Sequence, residues 1–121
     1  MKVIIDLIED IREAIDNDAS FTLTGMALQA NEEGEHVPIW QSNIINYRLD
    51  DETKKLFLFL GKEDPVSIGT LLEEFKSYSN EAMMYEVNVT YTEGDQRVDK
   101  SLIGFGEVVP EQRYLLFMSL D

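Results

Sequence analysis

The residues best able to do chemistry in this sequence are carboxylates, and their densest run is DLIEDIREAID, from Asp6 to Asp16. A helix advances by about 100° per residue, so the carboxylates of this run fall on one helical face. They are Asp6, Glu9, Asp10, Glu13 and Asp16. We expect this acidic face to be a binding surface for a basic protein partner, because opposite charges steer association.

The apolar residues of the same run fall on the opposite face of the helix. They are Ile4, Leu7, Ile8, Ile11, Ala14 and Ile15. This period predicts an amphipathic helix from about Val3 to Asn17. The acidic side is either the solvated side of that helix or also a docking surface. Its one-sided charge favours docking, because a face selected for stability alone more often places Lys four residues after Glu.

A calcium loop is the first metal site to consider. DNDASFTLTGMA places Asp16, Asp18 and Ser20 at the first, third and fifth positions of an EF-hand-like pattern. The sixth position, which should be glycine, is Phe21, and the twelfth, which should be glutamate, is Ala27. The turn and the bidentate ligand are both missing. We therefore predict no metal site.

Nucleophilic and cofactor chemistry finds little support. The chain has no cysteine, and its single histidine, His36, lies in a polar turn that suits a solvated side chain. Gly104 and Gly106 lie inside a predicted strand and lack the third glycine of a nucleotide loop, so they are interpreted as structural. The sequence predicts no catalytic residue, no cofactor and no enzymatic activity.

Glu107, in GFGEVV, has two interpretations. It shares strand parity with Ile103 and Phe105, and on an apolar row it would have a raised pKa and act as a general acid. The favoured interpretation is a rim position with the carboxylate in water. An enzyme or small-ligand binder that uses Glu107 and Glu86 is the least favoured function, because carboxylate catalysis needs a positioned pair.

Charge is the strongest global property of the chain. It has 121 residues, with 24 acidic against 10 basic ones, and a net charge of −14. Nucleic acid and anionic membranes are disfavoured as partners because both are polyanions. The apolar share of 44% suits one globular domain over residues 1–121. The lack of cysteine and of a membrane-length apolar run predicts a cytoplasmic protein.

The remaining patterns predict six strands and a second helix. The second helix follows EDP, with Asp64 as its N-cap and Pro65 at its first position. In the first strand the apolar phase changes at Gly25, where we expect a β-bulge. Tyr85–Tyr91 alternates cleanly and predicts a half-buried strand. The predicted fold is α+β in the order α-βββ-α-βββ, a mostly antiparallel sheet packed by two amphipathic helices.

LFLFL, from Leu56 to Leu60, is apolar on both strand faces, which is typical of a central strand covered on both sides. Two helices cover only part of a six-stranded sheet. The second face is then closed by curling of the sheet or by a second copy of the chain, and we expect a homodimer. Trp40 and Met84 are the candidate apolar interface residues.

The acidity of the chain and the order α-βββ-α-ββ are similar to those of the acidic type III secretion chaperones. The final helix of that fold is replaced here by strand, RYLLFMSL. This resemblance implies an alternative function, that of a small dimeric chaperone or adaptor that binds apolar segments. Such binding would use an exposed apolar patch including Trp40 or Met84 and would resist salt.

Overall fold

A computed structural model describes the whole chain, Met1–Asp121. It contains two α-helices, six strands and two short 3-10 helices. The helices are α1 (Ile4–Ile15) and α2 (Ile68–Phe75). The strands are β1 (Thr22–Ala30), β2 (His36–Asp50), β3 (Lys55–Gly61), β4 (Glu86–Glu93), β5 (Gln96–Val108) and β6 (Arg113–Ser119). The 3-10 helices span Glu81–Met84 and Val109–Glu111. The predicted α+β class with a mostly antiparallel sheet is confirmed.

The six strands close into a barrel in the order β1-β2-β3-β4-β5-β6, with β6 pairing back to β1. The pairs β1–β6 and β3–β4 are parallel, and the other four are antiparallel. A parallel pair needs a crossover connection. The segment between β3 and β4 supplies it, since it carries α2 and the first 3-10 helix from the end of β3 back to the start of β4. Of the two expected ways to close the sheet, the chain uses curling.

Helix α1 lies across the end of the barrel at which β4 and β6 begin. The amide of Ile4 donates to the carbonyl of Tyr85, 3.0 Å away and next to β4, while Asp10 contacts Tyr114 near the start of β6. Leu7 and Ile11 of α1 are fully buried and belong to one core cluster of 21 residues, which also includes side chains of α2 and of all six strands. The opposite end of the barrel, where β3 and β4 end, is not covered by a helix.

Helix α2 begins later than predicted. It starts at Ile68, and its N-cap is Ser67, whose hydroxyl accepts a hydrogen bond from the amide of Thr70 at 3.1 Å. The predicted cap at Asp64 is wrong because the residues after it pair with the barrel instead. Val66 donates to the carbonyl of Ile44 at 2.7 Å and accepts from the amide of Leu23 at 2.9 Å, which keeps this segment extended.

The bulge predicted at Gly25 is also misplaced. Gly25 stays in register opposite Ser42, and the register shifts further along, between Ala27 and Leu28. The partner strand carries Pro38 opposite Leu28, and proline has no amide hydrogen to give to a ladder. The interruption therefore follows the proline of β2 and not the glycine of β1.

Candidate functional site

The exposed carboxylates of α1 and its C-cap are Glu9, Glu13 and Asp16, and we call them the α1 ridge. None of the three takes part in any of the six ion pairs of the chain, nor in a side-chain hydrogen bond. Asp16 stands at the C-cap with a left-handed backbone, φ 52°. The α1 ridge is thus a set of free negative charges at one end of the barrel.

The other two residues of the predicted acidic face have structural partners within the chain. Asp6 is half-buried and its Oδ2 accepts from the amide of Val3 at 2.9 Å, which caps the start of α1. Asp10 is half-buried too, and its Oδ2 accepts from the hydroxyl of Tyr114 at 2.5 Å. These two residues of the predicted acidic face are therefore only partly exposed, and each carboxylate accepts a hydrogen bond from its own chain.

The hydroxyl of Tyr114 is influenced by one carboxylate of α1 and one of β5, Asp10 and Glu107. Its side chain is fully buried, and its ring stacks on Phe105 with centroids 6.1 Å apart. Burial raises the pKa of the Tyr114 hydroxyl well above its ordinary value, and the hydrogen bond to Asp10 and the charges of Asp10 and Glu107 add to this effect. This hydroxyl therefore stays protonated and serves as a donor.

Glu107 is exposed, as the favoured interpretation expected, so it does not stand on a buried apolar row. Glu86 is half-buried and already engaged, because it accepts from Asn88 at 2.9 Å and from Ser101 at 3.2 Å and lies 3.7 Å from Lys55. No hydrogen bond or ion pair links Glu86 to Glu107, so these two residues do not form the positioned pair that carboxylate catalysis needs.

The structure separates the two residues of the predicted apolar interface. Met84 is 67% exposed and precedes Tyr85, whose carbonyl bonds the first residue of α1, so it lies beside the start of that helix. Trp40 is half-buried at the other end of the barrel, where its ring meets the edge of Tyr91 at 5.1 Å between centroids and 79° between planes. Met84 therefore lies at the same end of the barrel as α1, and Trp40 lies at the other end.

The outer face of β3 carries a cluster that the sequence did not reveal. Phe57 points out of the barrel yet is only 5% exposed. The guanidinium groups of Arg97 and Arg48 lie over its ring, at 4.6 and 5.6 Å from the centroid. The outward side of LFLFL is therefore covered by two cations of the same chain, so a second copy of the chain is not needed to cover this strand. The homodimer stays a prediction.

Next to this cluster, β4 is buried on both faces, whereas the alternation predicted a half-buried strand. Thr90 is 3% exposed and donates to Asp99 at 2.7 Å, and Arg97 Nε donates to the same oxygen at 3.0 Å. Although burial acts to raise the pKa of Asp99, these hydrogen bonds and the charges of Arg97 and Lys55 together outweigh it and hold that pKa below its ordinary value. The outer side of β4 is a satisfied polar network rather than a solvated surface.

The uncovered end of the barrel holds a cavity of about 750 Å³, which we call the barrel mouth. Its walls include the rings of Trp40 and Tyr91 and the side chains of Leu60, Lys62 and Lys100. Lys100 is half-buried and shares the inward parity of Val98 and Leu102 on β5. Lys100 was not among the predicted site residues, although the alternation of VDKSL indicates that it shares the inward face with Val98 and Leu102.

No three acidic or histidine side chains stand close enough together to hold a metal ion. Neither helix has the length and apolar character needed to cross a membrane. In comparisons with protein-family models, with curated proteins and with solved structures, nothing matches this chain.

Proposed function

We propose that this protein is a non-enzymatic interaction domain that binds a basic protein partner through the α1 ridge. The observation that carries the proposal is the state of Glu9, Glu13 and Asp16. All three are exposed on α1 or at its C-cap, and none of them forms an ion pair within the chain. A partner with Lys or Arg at matching positions gains ion pairs without breaking any.

The helix that carries these charges is held firmly in place. Its apolar side is buried in the core, with Ile4, Leu7 and Ile11 fully inaccessible, and Asp10 is tied to Tyr114 in β6. Charges fixed on a rigid element bind with a smaller entropy loss than charges on a loop. This favours α1 over the equally acidic turn between β1 and β2 as the docking surface.

The charge of the whole molecule supports the same proposal. At −14, the chain attracts cationic proteins from a distance and repels nucleic acid and anionic membranes. Such steering raises association rates and weakens as salt rises. We place this binding in the cytoplasm, on the ground that the chain has no cysteine.

Met84 offers an exposed apolar side chain at the same end of the barrel as the α1 ridge. It is 67% exposed and lies next to the first turn of α1. Protein interfaces combine buried apolar anchors, among which methionine is enriched, with a polar surround. We therefore include Met84 in the docking surface and leave Trp40 out of it, because Trp40 lies at the other end of the barrel.

The test compares two variants with equal changes in net charge. One is E9Q/E13Q/D16N on the α1 ridge, and the other is E32Q/E33Q/E35Q in the exposed turn between β1 and β2. Each removes three negative charges. Both variants and the wild type are immobilised, exposed to native lysate and washed at low and high salt.

We expect the wild type and the turn variant to retain the same basic protein at low salt and lose it at high salt. The ridge variant should fail to retain it. Equal loss from both variants would show that net charge alone is responsible, and equal retention by both would exclude α1; either result contradicts the proposal. The dissociation constant of the purified partner should rise steeply with salt for the wild type.

The dimeric chaperone or adaptor is the second candidate. The observation in its favour is the exposure of large apolar side chains, Met84 at 67% and Val109 at 61%. It predicts a partner that survives the high-salt wash, that the ridge variant retains, and that M84S loses. It also predicts a dimer in sedimentation equilibrium.

A further inference from the structure

We propose that the barrel mouth binds a small organic anion with an apolar body. In this proposal Lys100 and Lys62 hold the anionic group, and Trp40 and Tyr91 receive the apolar part. The charge preference is opposite to that of the α1 ridge, and the two sites lie at opposite ends of the barrel.

The first observation is the position of Lys100. It lies on the inward side of β5 between Val98 and Leu102, opposite Val89 of β4, which is fully buried. An inward position in an apolar barrel favours an apolar residue, since partial burial of an ammonium group costs solvation energy unless the charge is paired. Lys100 makes no ion pair and no hydrogen bond with its own chain.

The second observation is where the unpartnered cations lie. Of the ten Lys and Arg residues, seven form an ion pair or lie over an aromatic ring. The three that do neither are Arg12, Lys62 and Lys100. Two of these three line the barrel mouth. In a chain with more than twice as many carboxylates as cations, two free ammonium groups at one cavity point to an anion from outside the chain.

The apolar half of the cavity suits a flat or aliphatic body. Trp40 and Tyr91 meet edge to face at 5.1 Å, and Leu60, Val98 and Leu120 complete the walls. The volume of about 750 Å³ lies within the range typical of small-molecule sites. Five of the twelve lining residues are apolar, so the cavity has an apolar side next to a polar and charged one.

One carboxylate, Glu93, also lines the cavity. Tyr91 lines the same cavity, and its hydroxyl has a raised pKa, first because it is partly buried and second because of the charge of Glu93. Two lysines against one glutamate leave the lining with a net charge of +1. At physiological salt, exposed charges are largely screened beyond about 8 Å. The nearby ammonium groups therefore outweigh the distant negative charge of the molecule.

Trp40 makes the proposal directly testable because it is the only tryptophan and lines the cavity. Its emission is followed while the protein is titrated with three probes of one shape: 4-phenylbutyrate, 4-phenylbutanol and 4-phenylbutylamine. We expect the carboxylate to bind at least about tenfold more tightly than the alcohol, and the amine more weakly still; tenfold corresponds to about 1.4 kcal/mol.

The same titrations are made with K100M and K62M, which keep an unbranched side chain and remove the charge. K76M is the matched control, since Lys76 pairs with Glu73 outside this cavity. K100M should weaken 4-phenylbutyrate about tenfold and leave 4-phenylbutanol unchanged, while K76M changes neither. K62M, at an exposed rim position, carries the test if K100M does not fold.

Three results would overturn the proposal. The first is that no probe changes Trp40 emission at millimolar concentration. The second is that the wild type binds the alcohol as tightly as the carboxylate, and the third is that K100M and K76M change the affinity for 4-phenylbutyrate equally. The E9Q/E13Q/D16N variant should bind 4-phenylbutyrate as the wild type does, so this proposal and the proposed function fail independently.

Discussion

The hydroxyl of Tyr114 donates a hydrogen bond to Asp10 across 104 residues of sequence. It joins a fully buried side chain of β6 to the acidic side of α1 and so fixes how the helix lies over the end of the barrel. The carboxylates of one helical face thereby acquire different roles. Asp10 is part of the interior network, whereas Glu9 and Glu13 remain free for a partner.

Removing the Tyr114 hydroxyl should lower stability. Y114F leaves Asp10 without its donor, and D10A leaves a buried hydroxyl without its acceptor, so we expect each to lower the free energy of unfolding by about 1–3 kcal/mol. Urea denaturation followed by circular dichroism measures the change. Y91F is the control and should change stability by less than about 0.5 kcal/mol, as is usual away from such partners. A Y114F variant as stable as the wild type would show that this bond contributes nothing net.

Alkaline pH should destabilise the protein. Burial or a carboxylate partner raises the pKa of all five tyrosines, to about 12 for Tyr78 and Tyr85. Above pH of about 10 the unfolded chain releases phenolic protons that the folded chain keeps. The free energy of unfolding therefore falls as pH rises through this range.

Two measurements check the alkaline prediction. Tyrosinate absorbance of the folded protein should appear above the pH at which it appears in urea. Y114F should show a shallower fall in stability, because it removes a buried tyrosine whose raised pKa contributes to that fall. A folded protein whose tyrosines all titrate as they do in urea would contradict it.

The two arginines over Phe57 should contribute to stability through that ring. F57A removes a nearly buried aromatic side chain, so we expect a loss of about 3 kcal/mol. R97Q should cost about 1 kcal/mol, since it loses the contact with Phe57 at 4.6 Å and the hydrogen bond to Asp99. In the F57A background R97Q should cost less. R12Q, which removes an unpartnered cation, should have little effect, and additive costs for F57A and R97Q would exclude the coupling.

Salt should stabilise this protein. Most carboxylates have no cation within ion-pair distance, since only six of the 24 acidic residues form an ion pair. Screening of their mutual repulsion outweighs the weakening of a few exposed pairs. The urea midpoint should rise from low ionic strength to about 0.5 M NaCl, where the Debye length is only a few ångströms. A midpoint that falls with NaCl would mean that the ion pairs dominate.

G69A should destabilise, although alanine is the better helix former. A Cβ at Gly69 would stand 2.9 Å from the Cβ of Ala19 and 3.4 Å from its carbonyl oxygen. The expected gain of about 1 kcal/mol in helix propensity is then exceeded by strain, and we predict a net loss of about 1 kcal/mol. Urea denaturation of G69A, A19G and A19G/G69A tests this. G69A should cost less, or even stabilise, in the A19G background; the same cost in both backgrounds would place the strain elsewhere.

Several positions show which structural features sequence patterns predict correctly and which they do not. The helical period located α1 to within two residues of its ends, and the interpretation of Gly104 and Gly106 as structural agrees with the ring of Phe117, which a Cβ at Gly106 would meet at 2.9 Å. The cap at Asp64 and the bulge at Gly25 were local inferences that tertiary pairing overruled. Val66 is held by Leu23 and Ile44, and the bulge follows Pro38 on the partner strand.

By itself the sequence determined the α+β class, the negative charge and the acidic run of α1, because composition and periodicity depend only on neighbouring residues along the chain. The tertiary structure decided that the sheet closes into a barrel, that Asp10 accepts a hydrogen bond from Tyr114, that two arginines cover Phe57, and that Lys62 and Lys100 both line the barrel mouth. These depend on strand order and register, which are set by the total burial of apolar surface over the whole chain. The total burial of apolar surface cannot be predicted from any short stretch of sequence.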